Sequence, residues 1–316
     1  MNYPTLRQLR YFLALTETEH FGRAADQSFV SQSAFSSAIA DLEELLGAPL
    51  VDRTRRRVTI TALGQRVAVQ ARLVLRDVDA LVELARGEQA PLAGELRLGV
   101  IPTIAPFVLP TVLPKLRRRY RDLELLLIED QTRRLYERLM DGELDVMLLA
   151  LPWEMSGAEV EPLFKDRFCL AYREGTTRVD PEHYRFNRLQ ADSILLLQDG
   201  HCLRDHALAA CRIRNTEKVR PFAASSLLTL VEMVDADLGI TFLPEMARDS
   251  LLLKNTRVRL AELDAKSYRT IGLAWRKGSR RADEFRLLGE FLTKHRQPPI
   301  KRPRVRPRGS QRRTPS

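Results

Sequence analysis

Three cysteines, Cys169, Cys202 and Cys211, are few for 316 residues, and their odd number argues against a structural disulfide framework. No Cys/His cluster has zinc-finger spacing, so no metal or other cofactor is expected and any cysteine function should be catalytic or redox-sensing. No basic segment leads into an apolar run at the amino terminus, and no unbroken apolar stretch approaches the roughly 18 residues a membrane helix needs. A soluble, cytoplasmic chain with no membrane contact is expected. Acid is absent from the last stretch, where Lys301, Arg302, Arg304, Arg306, Arg308, Arg312 and Arg313 supply seven of the ten net positive charges. The body is therefore close to balanced, and a case for nucleic acid must rest on where its basic residues sit. The tail, residues 297–316, is broken by Pro298, Pro299, Pro303, Pro307 and Pro315 and is expected to be disordered. It is either a source of sequence-independent phosphate attraction or a solvated segment without a dedicated role. No internal repeat and no other low-complexity segment is present, and the length predicts two or three domains.

What is present begins with helical spacing at Leu6, Leu9, Phe12 and Leu13, fading in the polar run Thr16 to Glu19. A short second helix carries Ala24 and Ala25, Ser28-Phe29-Val30 makes a tight turn, and Ser31 is placed to cap a third helix. That helix has Phe35, Ile39, Leu42 and Leu46 inward, presents Gln32, Ser33, Ser36 and Ser37 outward, and ends at Gly47 and Pro49. Two short helices joined by a small turn, the second amphipathic, form a helix-turn-helix whose Ser31, Gln32, Ser33, Ser36 and Ser37 are candidates for DNA contact. Val51, Val58 and Ile60 predict a hairpin with Arg53, Thr54, Arg55, Arg56 and Arg57 at its tip. Beside a recognition helix this is a wing, and its four arginines suit a duplex better than bare solvent. Residues 1–61 are thus expected to be a winged helix-turn-helix domain binding double-stranded DNA.

Thr61 is placed to cap a helix reaching about Arg86, with Val67, Ala71, Val74, Val78, Leu81 and Ala85 in alternating steps of four and three. This heptad seam predicts pairing with the same helix of a second subunit in preference to packing on its own domain. Residues 62–94 form this linker helix and a hinge. Beyond it strands alternate with helices: strands 95–101, 123–128, 145–151, 168–172, 194–197, 220–223, 240–243 and 270–275, and a closing helix 281–295. That pattern is an α/β effector domain over residues 95–296.

The block Ala24-Ala25, Val30-Ser31-Gln32, Phe35-Ser36, Ile39, Leu42-Glu43, Leu46-Gly47, Leu50, Arg53, Arg57, Thr61 and Gly64 resembles the amino-terminal signature of LysR-type regulators. Some 40 residues match in register, which makes the likeness specific. It implies a winged DNA-binding domain, a dimerising linker helix and a two-lobed effector domain like the periplasmic binding proteins. Lobe I would hold about 95–164 and 269–296, and lobe II about 165–268. Gly239-Ile240-Thr241-Phe242-Leu243-Pro244 resembles the family's motif in the second lobe. Ser33 stands where the family often has proline, and Ala38 and Ala40 where longer polar residues often face DNA, so a different base preference is implied.

Within the family, Asp199-Gly200-His201-Cys202-Leu203-Arg204-Asp205 followed by Cys211 is similar to the peroxide-sensing members, as are Ile101-Pro102-Thr103, Gln131-Thr132 and Arg269-Thr270-Ile271-Gly272-Leu273. The resemblance implies that Cys202 reacts with hydrogen peroxide and Cys211 resolves the product to a disulfide. Cys202 would lie in the first turn of a helix, near unpaired N–H groups, His201 and Arg204, which favour the thiolate. Arg269 would approach from the other lobe, Thr103 and Thr132 would hold the peroxide, and Asp205 would relay a proton. It further implies a tetramer built from dimers, a cytosolic thiol reductant, contact with RNA polymerase and activation of antioxidant genes. Taken alone, without the surrounding motif, Cys211 and Leu208 read in preference as the buried face of an ordinary helix. Cys169 reads as core, and His183 and His206 as solvated or locally bonded. Two other functions stay open: a regulator with a small organic effector between its lobes, and a thiol peroxidase, which leaves residues 1–86 unexplained.

Overall fold

The computed structural model describes residues 3–53, 58–85, 91–198, 200, 202–211 and 218–296. The wing tip Thr54 to Arg57, His201 and the basic tail lie outside the described residues, as does the side chain of Arg53.

The amino-terminal unit is built from α1 (Leu6–Thr18), α2 (Phe21–Gln27), α3 (Gln32–Leu46), the hairpin β1 (Val51–Arg53) with β2 (Val58–Ile60), and α4 (Ala62–Ala85). Its helix ends are written in the sequence. Thr5 and Gln8 form a capping box at α1, the Ser31 hydroxyl accepts the Ala34 N–H, and Gly47 closes α3 in the left-handed conformation. Glu43 ties the recognition helix to the wing by accepting the N–H groups of Leu50 and Val51 at 2.8 and 3.0 Å. Gly64 is required where α4 passes the hairpin, because a Cβ there would drive into the Leu50 carbonyl oxygen.

Two expectations change here. Leu46 is 40% exposed instead of core. The apolar stripe of α4 also divides: Ala68, Ala71 and Leu75 pack into the amino-terminal core beside α1, while Val74, Leu81 and Val82 stay exposed. The helix is amphipathic twice over because only its first turns reach the small domain; at about 36 Å it overhangs the rest.

The effector domain comprises β3 (Gly94–Val100), α5 (Ala105–Arg119), β4 (Leu123–Glu129), α6 (Thr132–Met140), β5 (Val146–Leu151), β6 (Ala158–Arg173), β7 (Ile194–Leu197), α7 (Cys202–Ala210), β8 (Val219–Ala224), α8 (Leu227–Asp235), β9 (Thr241–Pro244), β10 (Val258–Glu262), β11 (Tyr268–Arg276) and α9 (Ala282–His295). A continuous sheet runs β10-β6-β11-β5-β3-β4, with β9 also on β6. Strands β3, β4 and β5 are parallel, and β6 and β11 are antiparallel crossovers: Ile271 pairs with Phe164 near lobe I, while Cys169 to Ala171 pair with β9 and β10 in lobe II. Buried side chains form one cluster around β3, β5 and α9 and another around β7, α8 and β9. The two exchange members, since Phe107 of α5 belongs to the second cluster and Cys202 of α7 to the first.

Candidate functional site

The carboxyl ends of β3, β4 and β5 open toward lobe II, which is where open parallel sheets hold ligands. Thr103 follows β3, Thr132 opens α6 after β4, and both are buried. Cys202 opens α7 and inserts among them at 3% exposure, within reach of the Thr132 hydroxyl and the backbone of Ala150 on β5. Gly200, at φ +94°, permits this approach: a Cβ there would lie 2.7 Å from Oε1 of Gln131, the residue preceding α6. The first residues of α6 and α7, Thr132 and Cys202, therefore meet through their side chains. The Thr132 hydroxyl is fully buried beside the thiol and opposes the effect of burial on it.

Arg269 on β11 is the other fixed point. Its side chain is buried, donating from Nε to Asp166 Oδ2 at 3.0 Å, from one terminal nitrogen to Thr103 Oγ1 at 3.0 Å and from the other to the Thr103 carbonyl at 2.9 Å. Asp166, on β6, also accepts the Met246 N–H at 3.3 Å. Burial raises the Asp166 carboxyl above its ordinary range, with Arg269 opposing the shift. Sequence reasoning found Arg269 but missed Asp166, whose neighbours Lys165 and Arg167 make it look like one more surface charge.

Several influences compete at the Cys202 thiol in this conformation, and burial is the largest. Burial pushes the Cys202 thiol up, ahead of the opposing influence of Thr132 and Arg269 and reinforced by Asp205. The structure brings Thr103, Thr132, Cys202 and Arg269 together; Asp205 points outward, exposed, and Arg204 is half-buried. His206 is neither solvated nor bonded within its own helix. Its Nε2 meets the Pro152 carbonyl at 3.1 Å across the lobes, and burial lowers its pKa. His183 is bonded locally, to Asp180 at 3.0 Å, and Cys169 is core, its thiol raised to about 11 by burial.

Cys211 sits just past the last turn of α7, its N–H donating to the Ala207 carbonyl at 2.9 Å. It borders a cavity of about 350 Å³ with Tyr184, Phe186 and Ser267, and burial raises its thiol to about 12. Nine helical steps of 1.5 Å put the two cysteine Cα atoms about 13 Å apart, beyond the roughly 7 Å limit for a disulfide. Both thiols are free.

At the other end of the chain, Ser31, Gln32, Ser33 and Ser37 are exposed on α3 and Ser36 is half-buried. Among the described residues no cluster of acidic, His or Cys side chains suits a metal ion, and no helix is long and apolar enough to cross a membrane.

Comparison with known proteins places these features. Residues 6–65 match the model of the bacterial regulatory helix-turn-helix protein, lysR family, and residues 89–297 that of the LysR substrate binding domain. The regulator EstR of Acinetobacter baylyi is 41% identical over 92% of this chain and 96% of its own length. The DNA-binding transcriptional dual regulator OxyR of Escherichia coli is 39% identical over 91% and 94%. Full-length OxyR from Pseudomonas aeruginosa superposes with a TM-score of 0.75 at 32% identity over 92% of this chain and 95% of that one. The reduced regulatory domain of OxyR2 from Vibrio vulnificus does so at 0.63 and 40%, over 66% of this chain and 98% of that one. With a winged helix-turn-helix, a long linker helix and a two-lobed effector domain in one matched length, the chain belongs to the LysR family of bacterial helix-turn-helix transcription regulators.

Proposed function

We propose that this regulator senses hydrogen peroxide through Cys202 and is switched by a disulfide with Cys211, activating antioxidant genes. The observation that carries the reading is the enclosure of Cys202 by Thr132, Ala150 and the Arg269 centre. Relatives named hydrogen peroxide-inducible genes activators support it. The Cys202 thiolate attacks one peroxide oxygen, the O–O bond breaks, and the departing oxygen takes a proton to leave as water. Thr103 and Thr132 hold the peroxide, His201, Arg204 and Arg269 favour the thiolate, and Asp205 relays a proton to the departing oxygen. Cys211 then attacks the sulfenic acid sulfur, releasing a second water and closing the disulfide. Two thiols thus supply the two electrons, and a cytosolic dithiol restores them. Because the helix between the cysteines must unwind first, the sulfur chemistry is tied to a change of shape.

On this reading residues 1–61 bind DNA, with Arg53 and Arg55 to Arg57 on phosphates, residues 62–94 pair two subunits, and residues 95–296 sense. Two dimers form a tetramer that engages RNA polymerase. EstR, a relative not named for peroxide, favours a second reading in which a small organic effector binds between the lobes. A thiol peroxidase is set aside by membership of a regulator family.

The test is peptide mapping of the reduced protein after a stoichiometric peroxide pulse and alkylation. A Cys202–Cys211 cross-linked peptide within seconds is expected. Two alkylated thiols beside an oxidised control thiol would overturn the peroxide reading in favour of the effector.

A further inference from the structure

We propose that Phe29 is a DNA-reading side chain, its ring set against a thymine methyl in the major groove beside the recognition helix. Phe29 lies in the connection between α2 and α3, and its ring is 94% exposed, the most exposed large apolar side chain among the described residues. Its backbone has φ +54°, a left-handed conformation that glycine or asparagine adopts readily and a bulky aromatic residue does not. Both the exposure and the backbone are unfavourable, and among the described residues no ring or cation contact engages the Phe29 side chain. The aromatic core is complete without this ring: Tyr11 stacks on Phe35 at 5.1 Å and Phe21 meets Phe35 edge-on at 6.1 Å.

The turn holding the ring is rigid. Phe29 N–H donates to the Asp26 carbonyl and Val30 N–H to the Ala25 carbonyl, both at 3.1 Å. Val30 packs against the core and Ser31 caps α3, so the chain is fixed on both sides and the ring projects from a set place. An outlier held this firmly beside a binding surface points to a function for the side chain it displays. The duplex is the partner because the surface is continuous with exposed Gln32 and Ser33, and the first residues of a recognition helix enter the major groove. Of the features displayed there, the thymine C5 methyl is the apolar one, and a phenyl ring is a partner for it. Polar Gln32 and Ser33 are left to read the neighbouring donors and acceptors.

The test needs no peroxide and is independent of the redox reading. The full-length reduced protein selects duplexes from a randomised pool, and the preferred duplex is rebuilt with deoxyuridine replacing thymidine one position at a time, which removes only the methyl. One such replacement per half-site should weaken wild-type binding about tenfold and leave Phe29→Ala binding unchanged. Phe29→Gly should raise the thermal midpoint, since glycine accepts the backbone, while losing about tenfold in affinity for the selected duplex. The proposal is overturned if Phe29→Ala binds like wild type, if its loss is the same on every duplex and unaffected by deoxyuridine, or if Phe29→Gly lowers the midpoint.

Discussion

A buried ion pair organises the site around Cys202. Arg269 and Asp166 are both nearly sealed from water, with side-chain exposures of 0% and 3%. Such a pair fixes geometry more than it adds stability, because two charges have been taken out of water. Asp166→Asn is expected to destabilise the effector domain by about 3–5 kcal/mol in urea unfolding, since the guanidinium stays buried without its countercharge. Replacing both by leucine should recover most of that stability and, on the proposed peroxide reading, abolish the Cys202–Cys211 cross-link. The cysteines give a second expectation. Burial raises all three thiols, Cys169 to about 11 and Cys211 to about 12, from an ordinary value of 9.0. The folded chain therefore holds these protons more tightly than the unfolded chain. Their contribution to stability is whole below about pH 9 and is lost as pH rises through the folded values. Thermal midpoints should decline above about pH 9, with a shallower slope in Cys211→Ala.

Among the elements, α4 and β5 join the amino-terminal unit to the surroundings of Cys202. Arg76 of α4 meets Asp145 at 2.9 Å and the Leu144 carbonyl at 3.0 Å, just before β5 begins. Asp145 in turn accepts the Arg97 N–H at 2.8 Å. The far end of β5 brings Ala150 to Cys202 and is followed by Pro152, which meets His206. One buried strand thus has the linker helix at its start and the thiol at its finish. Asp145→Asn is expected to leave DNA affinity intact and to shrink the footprint difference between reduced and oxidised protein.

Most elements were legible because their residues repeat at helical or strand spacing and their ends carry Ser31, Gly47 or Thr61. The first half of β6 was not. Pro162 and the charges Glu159, Glu161 and Lys165 blur its alternation, since the strand is a crossover whose two ends face different surroundings. The short β10, with Arg259 and Glu262, was missed for the same reason. Thr103, Thr132 and Arg269 could be named from motif alone, whereas Asp166 and the tie between Pro152 and His206 depend on residues far apart in the chain. Burial of the Cys202 thiol, too, arises only when the two lobes meet.

Across the whole molecule the two lobes are interlocked by exchange: Phe107 is lodged in one cluster and Cys202 in the other. With Cys202 only 3% exposed, access to its sulfur is expected to require local opening with its own rate. The oxidation rate should rise with peroxide and then level off at the opening rate, as read by rapid quenching and alkylation. Phe107→Ala should lift that ceiling. On the proposed peroxide reading, a regulator built this way would respond in proportion to dose only while oxidant is scarce; when it is abundant the interval before the response would be set by the protein's own clock, and brief surges would pass unrecorded.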